Sequence, residues 1–279
     1  MINNKFNKGI FLAGLGSFWW GFFGVIYFKY ISFAGHIEVV LHRSIWTAIT
    51  LVITTFLFSK WKIFFKLIKN KKILFVLLIS GLLIGLSYCF TFLGLLAYIG
   101  FIPLFHSWVK SKPKQNILSG YVFGLVYNLI SNYWIAANSG TPKEVALLSL
   151  LLAVLYLSTF WALAGFIIGY YNKRQNVFYI LPFLIVSLEW IRSFGPLGFA
   201  WGNISLTQIF FLPLLQHIDI GGTYIVTFWI VSINTLIYVH FFIKKLTVKK
   251  QTFVFCLVIL YILSGWWKMN SYEPINYSN

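Results

Sequence analysis

The sequence predicts an all-α polytopic membrane protein with about nine transmembrane helices, and three observations carry that expectation. Of 279 residues, 59% are hydrophobic and only 10% are charged, whereas about a quarter of a soluble domain is charged. Mean hydropathy is +0.83. The apolar residues also come in runs near the ~20 residues that a helix needs to cross a bilayer core, and short lysine-rich segments separate them.

Taken in order, the runs predict helices at 10–28, 38–58, 73–91, 93–109, 117–137, 145–170, 178–193, 223–243 and 253–267. The first run follows Lys5 and Lys8 as a signal peptide would. It is long, has no small-x-small cleavage site and precedes further spans, so it reads as a retained helix. Basic loops favour the cytoplasmic side. Placing the N-terminus in the cytoplasm puts there Lys5 and Lys8, the lysines from Lys60 to Lys72, Lys110 to Lys114, Lys173 with Arg174, and Lys244 to Lys250. Only Lys29, Arg43, Lys143, Arg192 and Lys268 fall on the other side, together with all five acidic residues. Nine spans then leave the C-terminus, and the long connection 194–222, on the outer side.

The formal net charge of +17 does not point to nucleic acid. That reading needs a basic face on a soluble fold, and here the lysines sit between apolar runs where they meet anionic lipid. Cys89 and Cys256 lie inside apolar stretches and read as buried thiols rather than a disulfide framework. The five histidines, His36, His42, His106, His217 and His240, lack metal-ligand spacing. No phosphate-binding loop, dinucleotide fingerprint or serine nucleophile motif occurs, so no cofactor or metal is expected.

Two stretches resemble known families. "SFWWGFFGVIYFKY" (17–30) and "HIEVVLHRSIWT" (36–47) resemble the RarD branch of the EamA drug/metabolite permeases, over about residues 9–75. Glu38 and His42, one helical turn apart, read first as a structural pair and second as a binding or proton-coupling pair of a permease. From Leu74 a different pattern begins. "LLISGLLIGLSYCFTFLGLLAYIGFIPLF" (77–105), "SGYVFGLVYNLISNYWI" (119–135), "SLLLAVLYLSTFWALAGF" (149–166), "SLEWIRSFGPLGFAWGNISLTQ" (187–208) and "LLQHIDIGGTYIVTFWIVSINTLI" (214–237) resemble, in that order, the membrane domain of bacterial apolipoprotein N-acyltransferases. Beyond residue 80 no second copy of the first pattern appears, as an inverted-repeat permease would require.

The second resemblance implies a seven-helix domain over 74–267, preceded by a permease-like hairpin over 1–73. The tail 268–279 lies where a nitrilase-like catalytic domain would begin. It implies a bacterial inner-membrane protein whose partners are phospholipid and a lipoprotein substrate. Family members move an acyl chain onto a lipoprotein N-terminus through a thioester on a cysteine that a glutamate and a lysine support. That chemistry needs an activated thiolate. Cys89 and Cys256 have no base beside them in sequence, so no catalytic residue is assigned, and the chain reads as a truncated fusion that is inactive alone. A permease, or a non-catalytic scaffold with a separate nitrilase-like chain, are the alternatives.

The candidate site is the stretch "EWIRSFGPLGFAWGN" (189–203) with its continuation to Gln208. Glu189 and Arg192, at i and i+3, can form an ion pair, or Arg192 can meet a phospholipid phosphate. Gly195, Pro196 and Gly198 break the helix. Phe199 and Trp201 suit the headgroup layer, and Asn203 and Gln208 add amides. Gln216, His217 and Asp219, followed by Gly221 and Gly222, are expected to turn the chain into the next helix. The lipid- or lipoprotein-contacting set is therefore Glu189, Arg192, Trp201, Asn203 and Gln208. The loop departs from the family pattern at Ala200, where the family has Pro, and at Ser205–Leu206, where it has Gly-Tyr.

Overall fold

The computed structural model describes residues 70–171, 177–194 and 198–271, all within one of the two units into which the chain divides, Thr55–Asn279. The expected helices 10–28 and 38–58 with Glu38, His42 and Arg43, the basic pair Lys173 and Arg174, and Gly195 and Pro196 of the candidate loop lie outside the described residues.

Among the described residues the structure is helical, without strands. Helix α1 is Lys71–Cys89, opened by Asn70, whose Oδ1 accepts from Ile73 N at 3.3 Å. A 3-10 stretch, Thr91–Tyr98, leads into α2, Ile102–Lys110. Helix α3 is Pro113–Ser131, α4 is Lys143–Tyr171, and α5 is Leu181–Arg192. Helix α6, Ile218–Tyr238, continues as a π turn through Ile243, and α7 is Val248–Asn270. Proline stands in the first turn of α2, α3 and α5, where the missing N–H costs nothing and φ is already helical. At the start of α3 the Gln115 side chain reaches back to accept from Lys112 N at 3.1 Å, one half of a capping box.

Among the described residues, five segments are long and apolar enough to cross a membrane: Lys71–Cys89, Phe92–Lys110, Lys143–Tyr171, Ile218–Ile243 and Val248–Asn270. The seven spans expected over 73–267 all coincide with helical segments, though several differ in extent or continuity. Helix α3 starts four residues before the expected 117, because its first turn is polar, with Pro113 opening it and Gln115 bonding back to the N-cap, Lys112. Helix α5 has 12 residues, about 18 Å at 1.5 Å per residue, which is shorter than the ~30 Å hydrocarbon core.

The expected single helix 93–109 is instead a 3-10 stretch and an α-helix meeting at Ile99–Phe101. Buried side chains hold the backbone groups freed at that break. Asn234 of α6 accepts from Phe101 N at 3.0 Å and donates to Ala97 O at 2.8 Å, while Ser80 of α1 donates to Gly100 O at 2.5 Å. In an apolar interior each such group left unpaired costs roughly 1–3 kcal/mol, so the break is stable only because α1 and α6 supply these partners.

The core is a stack of aromatic rings between helices. Phe101, Phe105 and Trp108 of the second segment, Phe123 and Tyr127 of α3, and Trp161 of α4 lie within 4.7–6.1 Å of one another in a chain of ring contacts. Helices α3 and α4 approach so closely that a Cβ on Gly120 would strike the Trp161 carbonyl, and one on Gly165 the Asn116 carbonyl. Gly120/Gly124 and Gly165/Gly169 are thus small-xxx-small pairs on facing helices, the arrangement that lets backbones pack without a hydrophobic driving force.

Candidate functional site

The candidate loop is built from the end of α5 outward. Glu189 and Arg192 occupy its last turn, and both are buried, at 4% and 3% exposure. They do not form the direct ion pair that their spacing allows. The loop takes one end of each instead: Glu189 Oε1 accepts from Ile204 N at 2.7 Å, and an Arg192 terminal nitrogen donates to Asn203 Oδ1 at 3.0 Å. The chain returning over the end of α5 supplies hydrogen-bond partners that a helix-only view leaves out. Phe199 N donates to Arg192 O at 2.9 Å, closing the return.

From Gly202 to Gln208 the backbone is held at nearly every residue. Tyr127 of α3 donates to Gly202 O at 2.6 Å, with Tyr88 of α1 at 3.2 Å from the same oxygen and 2.9 Å from the Tyr127 hydroxyl. Thr227 of α6 accepts from Ser205 N at 3.1 Å. Thr207 Oγ1 donates to Ile204 O at 2.7 Å and accepts from Gln208 Nε2, also at 2.7 Å. The Gln208 amide further donates to Gly94 O at 2.8 Å. Residues Ile204–Gln208 form one 3-10 turn, and Ile204, Ser205, Thr207 and Gln208 are buried. The loop is therefore a plug fixed to α1, α3, α5, α6 and the 3-10 stretch.

Of the five residues singled out in the sequence, the structure brings Glu189, Arg192 and Asn203 into one network and sets Gln208 at the far end of the same plug. Trp201 stands apart, 67% exposed. Its ring meets Trp134 edge-on at 5.8 Å and Phe199 at 5.6 Å, and Trp134 is itself 45% exposed. Sequence reasoning passed over Tyr88, Tyr127 and Thr227, which hold the plug. In a chain with 16 tyrosines nothing local marks two of them as long-range hydrogen-bond donors.

The turn after the plug runs as expected into α6. Gly222 has φ of 63°, a left-handed value that glycine adopts without strain, and regular helix follows from Thr223. The same corner fastens α7. The His217 ring stacks on Tyr261 at 3.9 Å and bonds Ser264 Oγ at 2.9 Å through Nε2. Tyr261 donates to Leu214 O at 3.0 Å, Gly265 packs on the Pro213 carbonyl, and Lys268 pairs with Asp219 at 2.7 Å. Burial, with the Lys268 charge beside it, holds the His217 imidazole below its usual value despite an opposing pull from Asp219.

Cys89, at the end of α1, points its thiol at the carbonyls of Gly85 and Ile130, at 3.6 and 3.7 Å. Cys256 is exposed on α7. Carbonyl oxygens accept a thiol proton in a hydrogen bond but do not generate a thiolate as a neighbouring base does.

The family model that describes the N-terminal domain of apolipoprotein N-acyltransferases matches residues 80–236, more than half of the chain, including the whole plug. The chain belongs to the apolipoprotein N-acyltransferase family. Its relatives include apolipoprotein N-acyltransferases from Geobacter metallireducens, 31% identical over 165 residues that make up 57% of this chain and 32% of that protein, and from Rickettsia bellii, 30% identical over 187 residues, 60% of this chain and 34% of that protein. The relative from Rickettsia typhi is 30% identical over 207 residues, 70% of this chain and 39% of that protein. The chain thus spans about a third of the length of the curated relatives it matches. Every polar tie of the plug, from Tyr88 to Thr227, falls inside the family match.

Proposed function

We propose that this chain provides the membrane domain for apolipoprotein N-acyl transfer, presenting phospholipid and a lipoprotein to catalytic groups that lie outside residues 70–271. The observation that carries this reading is the plug. Its polar side chains turn inward, and its outward surface is aromatic, with Trp201, Phe199 and Trp134 grouped at one end of the helices. Amphipathic rings of that kind favour the headgroup layer. In this reading the rings meet lipid and lipoprotein directly, while Glu189, Arg192, Asn203 and Gln208 act through the shape of the loop.

The proposed setting is the bacterial inner membrane, with nine spans, the N-terminus in the cytoplasm, and the plug and C-terminus on the outer side. Residues 1–73 form a permease-like hairpin ahead of the seven-helix domain. The seven-helix domain positions substrate but does not make the thioester, because among the described residues neither Cys89 nor Cys256 has an acid–base partner to activate it. The attacking thiolate comes from a nitrilase-like domain, in the same polypeptide or as a separate chain.

The test is purified 279-residue protein in nanodiscs with phospholipid and a diacylglyceryl peptide, assayed by mass spectrometry. No N-acylated peptide is expected from the chain alone, and product is expected when a nitrilase-like domain is supplied. Turnover by the chain alone refutes the division of labour. Failure of the supplied domain to restore it, with that domain folded and bound, refutes the substrate-presenting role.

A further inference from the structure

A small cavity separates α4 from the last turns of α5. Phe160, Trp161, Ile185, Leu188, Glu189 and Arg192 line it, and the volume open to the centre of a water-sized sphere is about 10 Å³. A cavity needs roughly 10–15 Å³ by that measure to hold one water molecule, so nothing larger fits. Trp161, Glu189 and Arg192 are each more than nine-tenths buried. After the bonds to Ile204 and Asn203 are made, Glu189 Oε2 and Arg192 Nε have no protein partner, and neither has Trp161 Nε1. The other lining side chains are apolar.

These three atoms select what the cavity holds. Trp161 Nε1 and Arg192 Nε carry N–H donors, and a sodium or ammonium ion offers no lone pair to accept from them. Glu189 Oε2 is a carboxylate oxygen, which repels an anion such as chloride and leaves it no proton to give. A group that accepts and donates answers all three at once. In a space of this size that group is a water molecule, and buried waters typically make about three hydrogen bonds to polar groups of this kind.

We propose that the cavity between α4 and α5 binds one water molecule, its oxygen accepting from Trp161 Nε1 and Arg192 Nε and one O–H donating to Glu189 Oε2. The water joins the two helices at the turn that anchors the plug. It ties Trp161 to the same two side chains that hold Ile204 N and Asn203 Oδ1. The site takes no part in acyl transfer, so its test is independent of the proposed function.

The experiment is proton-detected NMR on the full chain in phosphatidylcholine nanodiscs, with nitrogen-15 in the tryptophan indoles. Trp161→Phe assigns the Trp161 signal by its loss. Magnetisation transfer from water to the Trp161 N–H is expected, and it should persist when a paramagnetic chelate in the buffer quenches transfer from bulk water to exposed rings such as Trp201. Ile185→Phe fills the cavity and should abolish the Trp161 transfer while the other indole signals keep theirs. If that variant loses the dispersed spectrum of the parent, Leu188→Phe serves instead. Absence of protected transfer at Trp161 in the parent overturns the site. Transfer that survives the filling variant places the water elsewhere and overturns it equally.

Discussion

The contact between α3 and α4 gives the most quantitative prediction. A methyl group at Gly165 is directed at the Asn116 carbonyl, and one at Gly120 at the Trp161 carbonyl. Backbone cannot swing aside as a side-chain tip can, so the two helices must part. Overpacking of this kind costs roughly 1–3 kcal/mol, while exchanging glycine for alanine inside a helix returns about 0.8–1.0 kcal/mol. Gly165→Ala and Gly120→Ala should therefore each destabilise by about 1 kcal/mol net, with strain prevailing over propensity.

The two sites lie on the same seam, which adds a sharper expectation. Once the helices separate to admit one methyl group, the second finds part of its space already open, so the double variant should lose less than the sum of the singles. Gly140 is an exposed loop residue where a Cβ meets only Asn138 Oδ1, at 3.3 Å. Gly140→Ala should be close to neutral. Thermal unfolding in a mild detergent, followed by intrinsic fluorescence, resolves these differences. If Gly165→Ala and Gly120→Ala match or exceed the parent protein in midpoint, the reasoning from close approach is refuted.

Three further outcomes follow from the plug, from the Ile99–Phe101 break and from the corner that fastens α7. Glu189→Leu removes the acceptor of Ile204 N and leaves Arg192 buried without its counter-charge; a loss of roughly 3–5 kcal/mol is expected, read as a lower midpoint, with Glu189→Gln clearly milder. Asn234→Leu orphans Phe101 N and Ala97 O together and should cost about 2–4 kcal/mol, while hydrogen exchange speeds up selectively at the Ile99–Phe101 break. For His217 the folded value lies below the usual 6.5, so stability is intact above about that pH and falls as the medium acidifies through the lowered value; His217→Gln should flatten this acid-side slope, and an unchanged slope would assign the loss elsewhere.

Helical periodicity and hydropathy made the positions of the seven helical segments legible, but little of what joins them. Residues 117–137 ran too far at the C-terminal end, because Tyr133–Ala137 is apolar yet forms a separate 3-10 turn after Ser131. The break at Ile99–Phe101 was illegible because its supports, Ser80 and Asn234, are 20 and 133 residues away in sequence. The spaced glycines 120/124 and 165/169 were open to view, and their meaning depended on a partner helix that the pattern does not name. At the site, the spacing of Glu189 and Arg192 suggested that each answers the other. The structure answers them with Ile204 and Asn203, because a loop that folds back over a helix end offers amide groups closer than a neighbouring side chain does.

The plug also explains why a membrane protein places an acid and a base so near an aromatic loop. In the proposed setting the loop lies at the headgroup layer, and there it must keep its shape while water, phosphate and glycerol all compete for backbone hydrogen bonds. Ties made by exposed side chains would be exchanged with that surrounding. Ties made from beneath, by Glu189, Arg192, Tyr127, Thr227 and Gln208, are shielded from it, and the charged members gain strength from the low dielectric around them. The consequence is a separation of duties within a few residues. Polar groups face inward and fix the backbone, which leaves the outward face to Phe199 and Trp201. The exposed charges that the structure places nearby come as neutral combinations, Lys143 with Glu144 at the start of α4 and Lys268 with Asp219 across α6 and α7. In the proposed function, recognition at this end of the molecule is set by ring shape and depth rather than by net charge. Trp201→Ala should accordingly leave stability within about 0.5 kcal/mol of the parent while weakening association with lipid, and added salt should change that association little.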